Sequence, residues 1–209
     1  MKGKSFEEHL IENAYKKLEE LVENARNLVD FSEKDFQILA NRKEILLSWA
    51  DEFAHEFYET LLRYPKTAKI FERISVEVVK ERFKKWYVDL VSGKGGEEFY
   101  KEQFFIGLVH IHNKIDNNLM IFMANHLKRH FLGKAFKSFQ PEEAIYVFQA
   151  FSKLVDFVVA LTVEGYIFTL YEGLLDVAGL KPSLVERMMK LKLEEIYKIF
   201  KKDFVVHHD

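Results

Sequence analysis

The chain contains no cysteine, three prolines and nine glycines among its 209 residues. Because cysteine is absent, disulfides, iron–sulfur clusters and thiolate nucleophiles are excluded, and histidine and carboxylate side chains are the only strong metal ligands. An excess of charge is lacking as well, since 31 Lys and Arg residues face 33 Asp and Glu residues, a formal net charge of −2. No global field therefore recruits nucleic acid or an anionic membrane, and partners must be recognised locally.

A long uncharged apolar run is also missing. The first ten residues carry charges throughout and provide no signal-peptide core, which predicts a cytoplasmic protein. The most apolar stretch, residues 151–170, is interrupted by Lys153, Asp156 and Glu164, side chains that are costly at the centre of a bilayer. We interpret this stretch as a buried helix and not as a membrane span. The chain is 48% hydrophobic, which excludes disorder.

The scarcity of glycine and proline favours helices. Between Gly3 and Gly93 there is no glycine, and Pro65 is the only proline. Ser5 and Glu8 form a capping-box pattern before an amphipathic stripe. No segment has the alternation of a strand, so we predict an all-α protein. The first predicted helix begins at Ser5, and the second runs from Ser32 to Tyr64. After a short turn at residues 67–71, further helices are predicted at residues 76–90, 97–116, 119–139, 141–178 and 183–204.

The eight histidines are the candidate metal ligands. His126 and His130 share a helical face at a spacing that suits zinc, but a third ligand and a Glu general base are missing from the motif, so we interpret them as surface or interface residues. His207 and His208 lie at the end of the chain, where metal binding would be adventitious. His110 lies in a strongly apolar helix, where its imidazole would be neutral and buried. By itself such a residue is more often a hydrogen-bonded core histidine than a ligand.

No Ser/His/Asp order or carboxylate pair indicates hydrolysis. The glycine-rich loop at residues 92–96 lacks the Gly-Lys-Ser/Thr ending of a P-loop and follows no strand. Tyr58 is the plausible polar partner of His110. A haem site needs such a pair, because an imidazole bonds the iron, apolar rings flank the porphyrin and a phenol donates a hydrogen bond to bound dioxygen, which carries partial negative charge.

Several motifs around His110 resemble the globin domain of globin-coupled sensors. They are the aromatic stretch and loop at residues 86–93, the triplet Glu97-Glu98-Phe99 and the motif Ile106-Gly107-x-x-His110. Upstream, Phe57-Tyr58-x-x-Leu61-Leu62 and the segment at residues 64–71 are similar to the distal helix of that family and to the turn after it. The order and the spacing of the motifs are those of the family.

The resemblance implies a globin fold with an extra N-terminal helix and a C-terminal linker helix, haem b as the cofactor, and dioxygen or another diatomic gas as the ligand. His110 would be the proximal iron ligand and Tyr58 the distal hydrogen-bond donor. The other residues at cofactor-binding positions are Phe57, Val79, Arg82, Phe83 and Ile106. An arginine such as Arg82 is unusual in an apolar pocket. We expect its side chain either to line the pocket or to point outward, to a haem propionate or to solvent.

After His110 the chain departs from the family pattern. Relatives usually continue with Arg-Ile-Gly-Leu, a proline and a Trp-Tyr pair, whereas residues 112–115 read His-Asn-Lys-Ile and residues 117–120 read Asn-Asn-Leu-Met. The loop on the proximal side must therefore be rebuilt. Haem-free relatives exist in bacterial stress-signalling complexes, so a haem-free pocket is the alternative, but the retention of both His110 and Tyr58 favours haem.

The segment after Pro182 has apolar residues at four-three-four spacing, namely Met189, Leu193, Ile196 and Phe200. Such a helix either docks on the globin or forms a two-stranded coiled coil that carries a signal to an effector. Residues 205–209 resemble the lead into a diguanylate cyclase domain. We predict a sensor globin domain over residues 1–180 and a transmission helix over residues 181–209.

Together these features predict a haem-binding gas sensor without a catalytic site of its own. It would signal as a homodimer formed by the helices at residues 119–139 and 141–178. One alternative is a haem-free globin-fold module for signalling or interaction. Another is a single-domain oxygen-binding globin, which would not need the final helix.

Overall fold

The computed structural model describes residues 5–204, over which the chain forms ten α-helices and one 3₁₀ helix and no strand. The predicted all-α class is confirmed. The 3₁₀ helix, Lys69–Glu72, follows the fifth α-helix. The α-helices are α1 Phe6–Val29, α2 Glu33–Ala40, α3 Lys43–Leu47, α4 Ala50–Arg63, α5 Pro65–Ala68, α6 Val76–Val91, α7 Glu97–His112, α8 Asn117–Ser138, α9 Pro141–Ala178 and α10 Pro182–Phe204.

The described residues form two compact units, 5–167 and 168–204, and the division falls inside α9. The first unit contains every residue predicted for the candidate site. The domain boundary predicted between residues 180 and 181 stays a prediction.

Helix ends that depend on local chemistry lie where the sequence predicts them. The Glu8 backbone N–H donates to Ser5 Oγ at 3.2 Å, and the Ser5 N–H donates to the Glu8 carboxylate at 2.9 Å, which completes the capping box of α1. α4 ends before Tyr64, which is extended because Pro65 follows it. α9 ends before Gly179, which adopts the left-handed region with φ of 62°.

The single helix predicted from Ser32 to Tyr64 is wrong, because the structure divides this segment into α2, α3 and α4. At the second break, the Ser48 hydroxyl donates to the Ile45 carbonyl at 2.6 Å, a bond that competes with continuation of the helix. Leu46 and Trp49, which flank Ser48, are both buried. The chain therefore bends so that both apolar side chains reach the core.

The core of the first unit is aromatic. The rings of Phe131 and Phe151 stack at a centroid distance of 3.7 Å and join α8 to α9. Phe53 on α4 packs edge-on against Tyr87 on α6 at 5.0 Å. The fully buried Tyr87 hydroxyl donates to the Leu46 carbonyl at 3.0 Å. This layer fixes α4 and α6, the two helices that carry the predicted distal residues.

Among the described helices, α9 is the one long and apolar enough to cross a membrane, and half of its apolar window is buried in the fold. Its fully buried residues within the first unit include Ala144, Val147, Phe151, Leu154 and Leu161. Side chains from other helices cover them, as the Phe131–Phe151 stack illustrates. In this fold α9 is a core helix.

Candidate haem-binding site

Tyr58 lies on the buried face of α4 and is 9% exposed. Its hydroxyl donates a hydrogen bond of 3.0 Å to the backbone carbonyl of Val79, in the first turn of α6. Burial raises the pKa of the Tyr58 phenol to about 12, although the positive charge of Arg82 opposes this shift. The phenol is therefore protonated, and able to donate, at any physiological pH.

Aromatic rings surround Tyr58. Phe57, Phe71 and Phe83 lie at centroid distances of 5.4, 5.6 and 6.1 Å from its ring, all edge-on. Phe57 and Phe83 also lie 4.6 Å from each other at an angle of 30°. The ring of Tyr58 thus lies against an apolar wall built from α4, α6 and the 3₁₀ turn between them.

His110 lies in the last turn of α7, with only part of its surface exposed. Its Nδ1 atom is buried and has no hydrogen-bond partner. Burial lowers the pKa of the imidazole to about 4, so the ring is neutral at pH 7. A neutral imidazole has a ring-nitrogen lone pair available for a metal ion.

The connection after His110 is short and closed by backbone hydrogen bonds. The Ile115 N–H donates to the His110 carbonyl at 2.9 Å, and the Asn113 side chain donates to the Val109 carbonyl at 2.8 Å. Lys114 adopts a positive φ of 56° within this turn. α8 then begins at Asn117, whose buried Oδ1 atom has no partner. This connection is where the sequence departs from the family pattern.

The remaining predicted residues lie on the same helices with different exposure. Val79 and Phe83 are half-buried on α6, and Ile106 is half-buried one turn before His110. Arg82 is exposed, and its effect on the site is electrostatic, through the Tyr58 phenol. The structure thus gathers Phe57, Tyr58, Val79 and Phe83 into one cluster.

The histidine pair on α8 faces α4. His130 Nε2 lies 3.3 Å from the Glu52 carboxylate, and His126 Nε2 lies 4.0 Å from the Glu56 carboxylate. Lys134 also donates to Glu52 at 2.6 Å. These residues form a polar seam between two helices of the same chain.

Sequence reasoning missed two partners of Tyr58. The Val79 carbonyl cannot be recognised in a sequence, because every residue has one and only the approach of α4 to α6 selects it. Phe71 belongs to a motif in the sequence, but its contact with Tyr58 depends on how the 3₁₀ turn folds back.

The donor set fits a haem iron. Within residues 5–204, no group of three or more His, Asp and Glu side chains is arranged to hold a metal ion. A metal bound at His110 would therefore have fewer than three His, Asp or Glu ligands from these residues, and in a haem the porphyrin nitrogens would supply the remaining ones. The neutral ring of His110, whose Nδ1 atom has no partner, and the protonated phenol of Tyr58 are of the chemical types that a haem site uses for its iron ligand and its hydrogen-bond donor.

A family model described as Protoglobin matches residues 18–171, well over half of the 209 residues. The chain belongs to the protoglobin family. The matched region of this protoglobin begins inside α1 and ends inside α9, so it includes both Tyr58 and His110. The first part of α1 and all of α10 lie outside the match.

Two solved structures share the fold. The globin domain of the Geobacter sulfurreducens globin-coupled sensor is 20% identical, with a TM-score of 0.64 over 69% of this chain and 96% of that domain. The globin domain of DosC from E. coli, in a ferric form, is 17% identical, with a TM-score of 0.60 over 69% of this chain and 98% of that domain. These matches confirm the predicted globin fold.

A curated relative covers a shorter region. The uncharacterized protein MJ1356 of Methanocaldococcus jannaschii is 29% identical over 86 residues. The match covers 40% of this protoglobin and 45% of that protein, so the chain spans less than half the length of the curated relative.

Proposed function

We propose that this protoglobin binds haem b with His110 as the proximal ligand and serves as a gas-sensing domain without catalytic activity of its own. The observation that carries the proposal is the His110 ring, which is neutral at pH 7 and has a buried Nδ1 atom without a partner. A core histidine of purely structural function would use that nitrogen in a hydrogen bond.

Haem, when bound, supplies an iron coordination position for dioxygen or another diatomic gas. Tyr58 supplies the hydrogen-bond donor on the gas side, because its raised pKa keeps the proton on the phenol. Phe57, Val79 and Phe83 would exclude water around this donor. Ile106 would contact the cofactor beside His110, and the exposed Arg82 would pair with a haem propionate.

Signal output would use a homodimer formed by α8 and α9, the helices predicted for this purpose. Both helices keep large apolar side chains in solvent: Phe122 and Phe136 on α8 are 67% and 46% exposed, and Ile145 and Tyr146 on α9 are 47% and 50% exposed. Exposed apolar surface of this kind commonly marks a protein interface. Sedimentation at micromolar concentration should give a dimer, and Phe122→Glu should reduce it to a monomer. A wild-type monomer would contradict the dimer.

The second unit offers a route to an effector. On α10, Met189 and Leu193 are 50% and 52% exposed and lie on the face with heptad-like spacing. We extend the proposal to a coiled coil at this face that leads to a diguanylate cyclase domain in a cytoplasmic protein. The resemblance to such a domain lies in residues 205–209, outside the described residues.

The haem proposal is tested by absorption spectroscopy of the purified chain supplied with haem. The wild-type protein should show a Soret band, and His110→Ala should lose or alter it. His112→Ala is the matched control, because His112 is exposed on the same helix, and it should give the wild-type spectrum. A wild-type chain without a Soret band, or an unchanged spectrum in His110→Ala, would contradict the proposal.

A haem-free signalling module is the second candidate, and a specific observation favours it. The Tyr58 hydroxyl already has a partner in Val79, and Phe57 and Phe83 already pack on each other, so the distal residues satisfy one another without a ligand. This candidate predicts that the chain leaves the absorption spectrum of added haem unchanged and gains no thermal stability from it.

A further inference from the structure

α7 and α9 meet backbone to backbone at Gly107 and Gly165. A Cβ atom on Gly107 would lie 2.3 Å from the Thr162 carbonyl oxygen and 2.4 Å from the Tyr166 backbone nitrogen. A Cβ atom on Gly165 would lie 2.0 Å from the Phe104 carbonyl oxygen. A Cβ atom at either position would clash with the backbone of the other helix. The two helices therefore approach to a distance that only glycine at both positions permits.

Hydrogen-bond contacts join Gln103, one turn before Gly107 on α7, to α6 and α9. The Thr162 hydroxyl on α9 lies within hydrogen-bond distance of two acceptors, the Gln103 carbonyl of α7 at 3.2 Å and the Val158 carbonyl of α9 at 2.9 Å. The Gln103 side chain, 2% exposed, accepts a bond of 2.9 Å from the Trp86 indole N–H of α6. The turn of α7 that includes Gln103 and Gly107 is therefore tied to α6 and α9 at once.

His110 follows Gly107 by three residues, about 4.5 Å along the helix axis. Where side chains separate two helices, rotamer changes can absorb a small displacement. At a backbone contact no such adjustment exists. Because protein interiors are close-packed, a displacement of one helix is then transmitted to the other. The position of the His110 ring along and around α7 is thus determined by the crossing.

We propose that Gly107 and Gly165 are positioning residues for His110, and that the crossing, together with Thr162, couples the position of the His110 imidazole to α9. The inference rests on the proposed function, since it gives His110 its role as the haem ligand. The coupling means that a shift of His110 cannot occur without a shift of α9, the helix proposed for the dimer interface.

The first experiment needs no haem. The carbon-bound ring protons of His110 are followed by NMR at pH 7 in the haem-free protein as wild type, Gly107→Ala and Gly165→Ala. Each substitution should separate α7 from α9, move the His110 ring within the fold and so shift the resonances of its ring protons. The matched controls are Gly133→Ala and Gly173→Ala, because a Cβ atom at either position meets nothing within 4 Å. The controls should give the wild-type resonances of the His110 ring.

The second experiment uses the haem-loaded ferrous protein. Gly107→Ala and Gly165→Ala should shift the iron–histidine stretching band in the resonance Raman spectrum, and Gly133→Ala should not. If the wild type takes up no haem, the proposed function fails, while the NMR comparison in the haem-free protein still decides the positioning role.

Thr162→Val keeps the size of the side chain and removes the hydroxyl that reaches Gln103. This milder variant decides the matter if the glycine variants do not fold, and it should shift the His110 ring resonances in the same direction by a smaller amount. The inference is overturned if folded glycine variants, or Thr162→Val in their absence, leave the His110 ring resonances at their wild-type positions.

Discussion

The hydroxyl of Tyr58 donates to the backbone carbonyl of Val79 at 3.0 Å, so the proposed donor to a bound gas already has an acceptor in the protein. A gas that accepts a hydrogen bond from Tyr58 would have to replace the Val79 carbonyl as the acceptor. A gas that accepts weakly, such as carbon monoxide, leaves the bond between α4 and α6 intact. In the proposed haem-bound state, the contact would distinguish gases by their strength as acceptors and would link the choice to the packing of α6.

The first prediction concerns Tyr58→Phe in the haem-loaded protein. In the gas-bound protein, Tyr58 would gain a hydrogen bond to a partially charged acceptor and lose its hydrogen bond to Val79. The net stabilisation of the bound gas is about 1 kcal/mol. We therefore expect the oxygen dissociation constant to rise about three- to tenfold, with the affinity for carbon monoxide nearly unchanged. Stopped-flow ligand kinetics measure both. Tyr87→Phe is the control, because it removes another buried hydroxyl outside the site, and an equal loss of oxygen affinity in both variants would argue against the role of Tyr58.

The second prediction concerns the stability contribution of Tyr87. Its hydroxyl donates to the Leu46 carbonyl at 3.0 Å where no solvent reaches the ring. Tyr87→Phe leaves that carbonyl without its side-chain donor, which should lower the free energy of unfolding by about 1 to 2 kcal/mol. Urea denaturation monitored by circular dichroism measures the change. A variant as stable as the wild type would show that water or the helix backbone compensates.

The third prediction concerns acid stability of the haem-free protein. The pKa of His110 is about 4 in the folded chain, against an ordinary value of 6.5. Between these values the unfolded chain binds a proton that the folded chain does not, so the free energy of unfolding falls as the pH drops from 6.5 to 4. The full contribution is about 3 kcal/mol.

His110→Gln removes this titration, so the variant should lose less stability than the wild type on acidification across that range. Guanidinium denaturation at the two ends of the range measures the difference. The control is His112→Gln, an exposed histidine on the same helix, which should follow the wild-type pH profile. Parallel pH profiles for wild type and His110→Gln would mean that His110 is solvated in the folded chain.

The fourth prediction concerns the first turn of α8. Asn117 Oδ1 is buried and has no partner, whereas the neighbouring Asn118 is exposed. Asn117→Ala should stabilise the protein more than Asn118→Ala does, by about 1 kcal/mol, because only the first substitution removes an unpaired buried acceptor. Both substitutions gain similar helix propensity, so the difference isolates the burial cost. Equal melting temperatures of the two variants would indicate that Asn117 binds a water molecule.

Several elements were predictable because their causes are local. The capping box of Ser5 and Glu8, the end of α4 at Pro65 and the end of α9 at Gly179 follow from chemistry within a few residues. The breaks that separate α2, α3 and α4 were not predictable in this way. They depend on the burial of Leu46 and Trp49 against residues far away in the chain, such as Phe131, whose ring lies 5.3 Å from that of Trp49.

The sequence by itself determined the all-α class and the exclusion of thiolate chemistry, and it singled out His110 and Tyr58 as candidates, because composition, spacing and motif are properties of the chain alone. Only the tertiary structure decided what these residues touch. The Val79 carbonyl beside Tyr58 and the Gly107–Gly165 crossing beside His110 exist because separate helices approach closely. Such approaches depend on packing over the whole core, and a backbone carbonyl or a missing Cβ atom becomes specific only after that packing is complete.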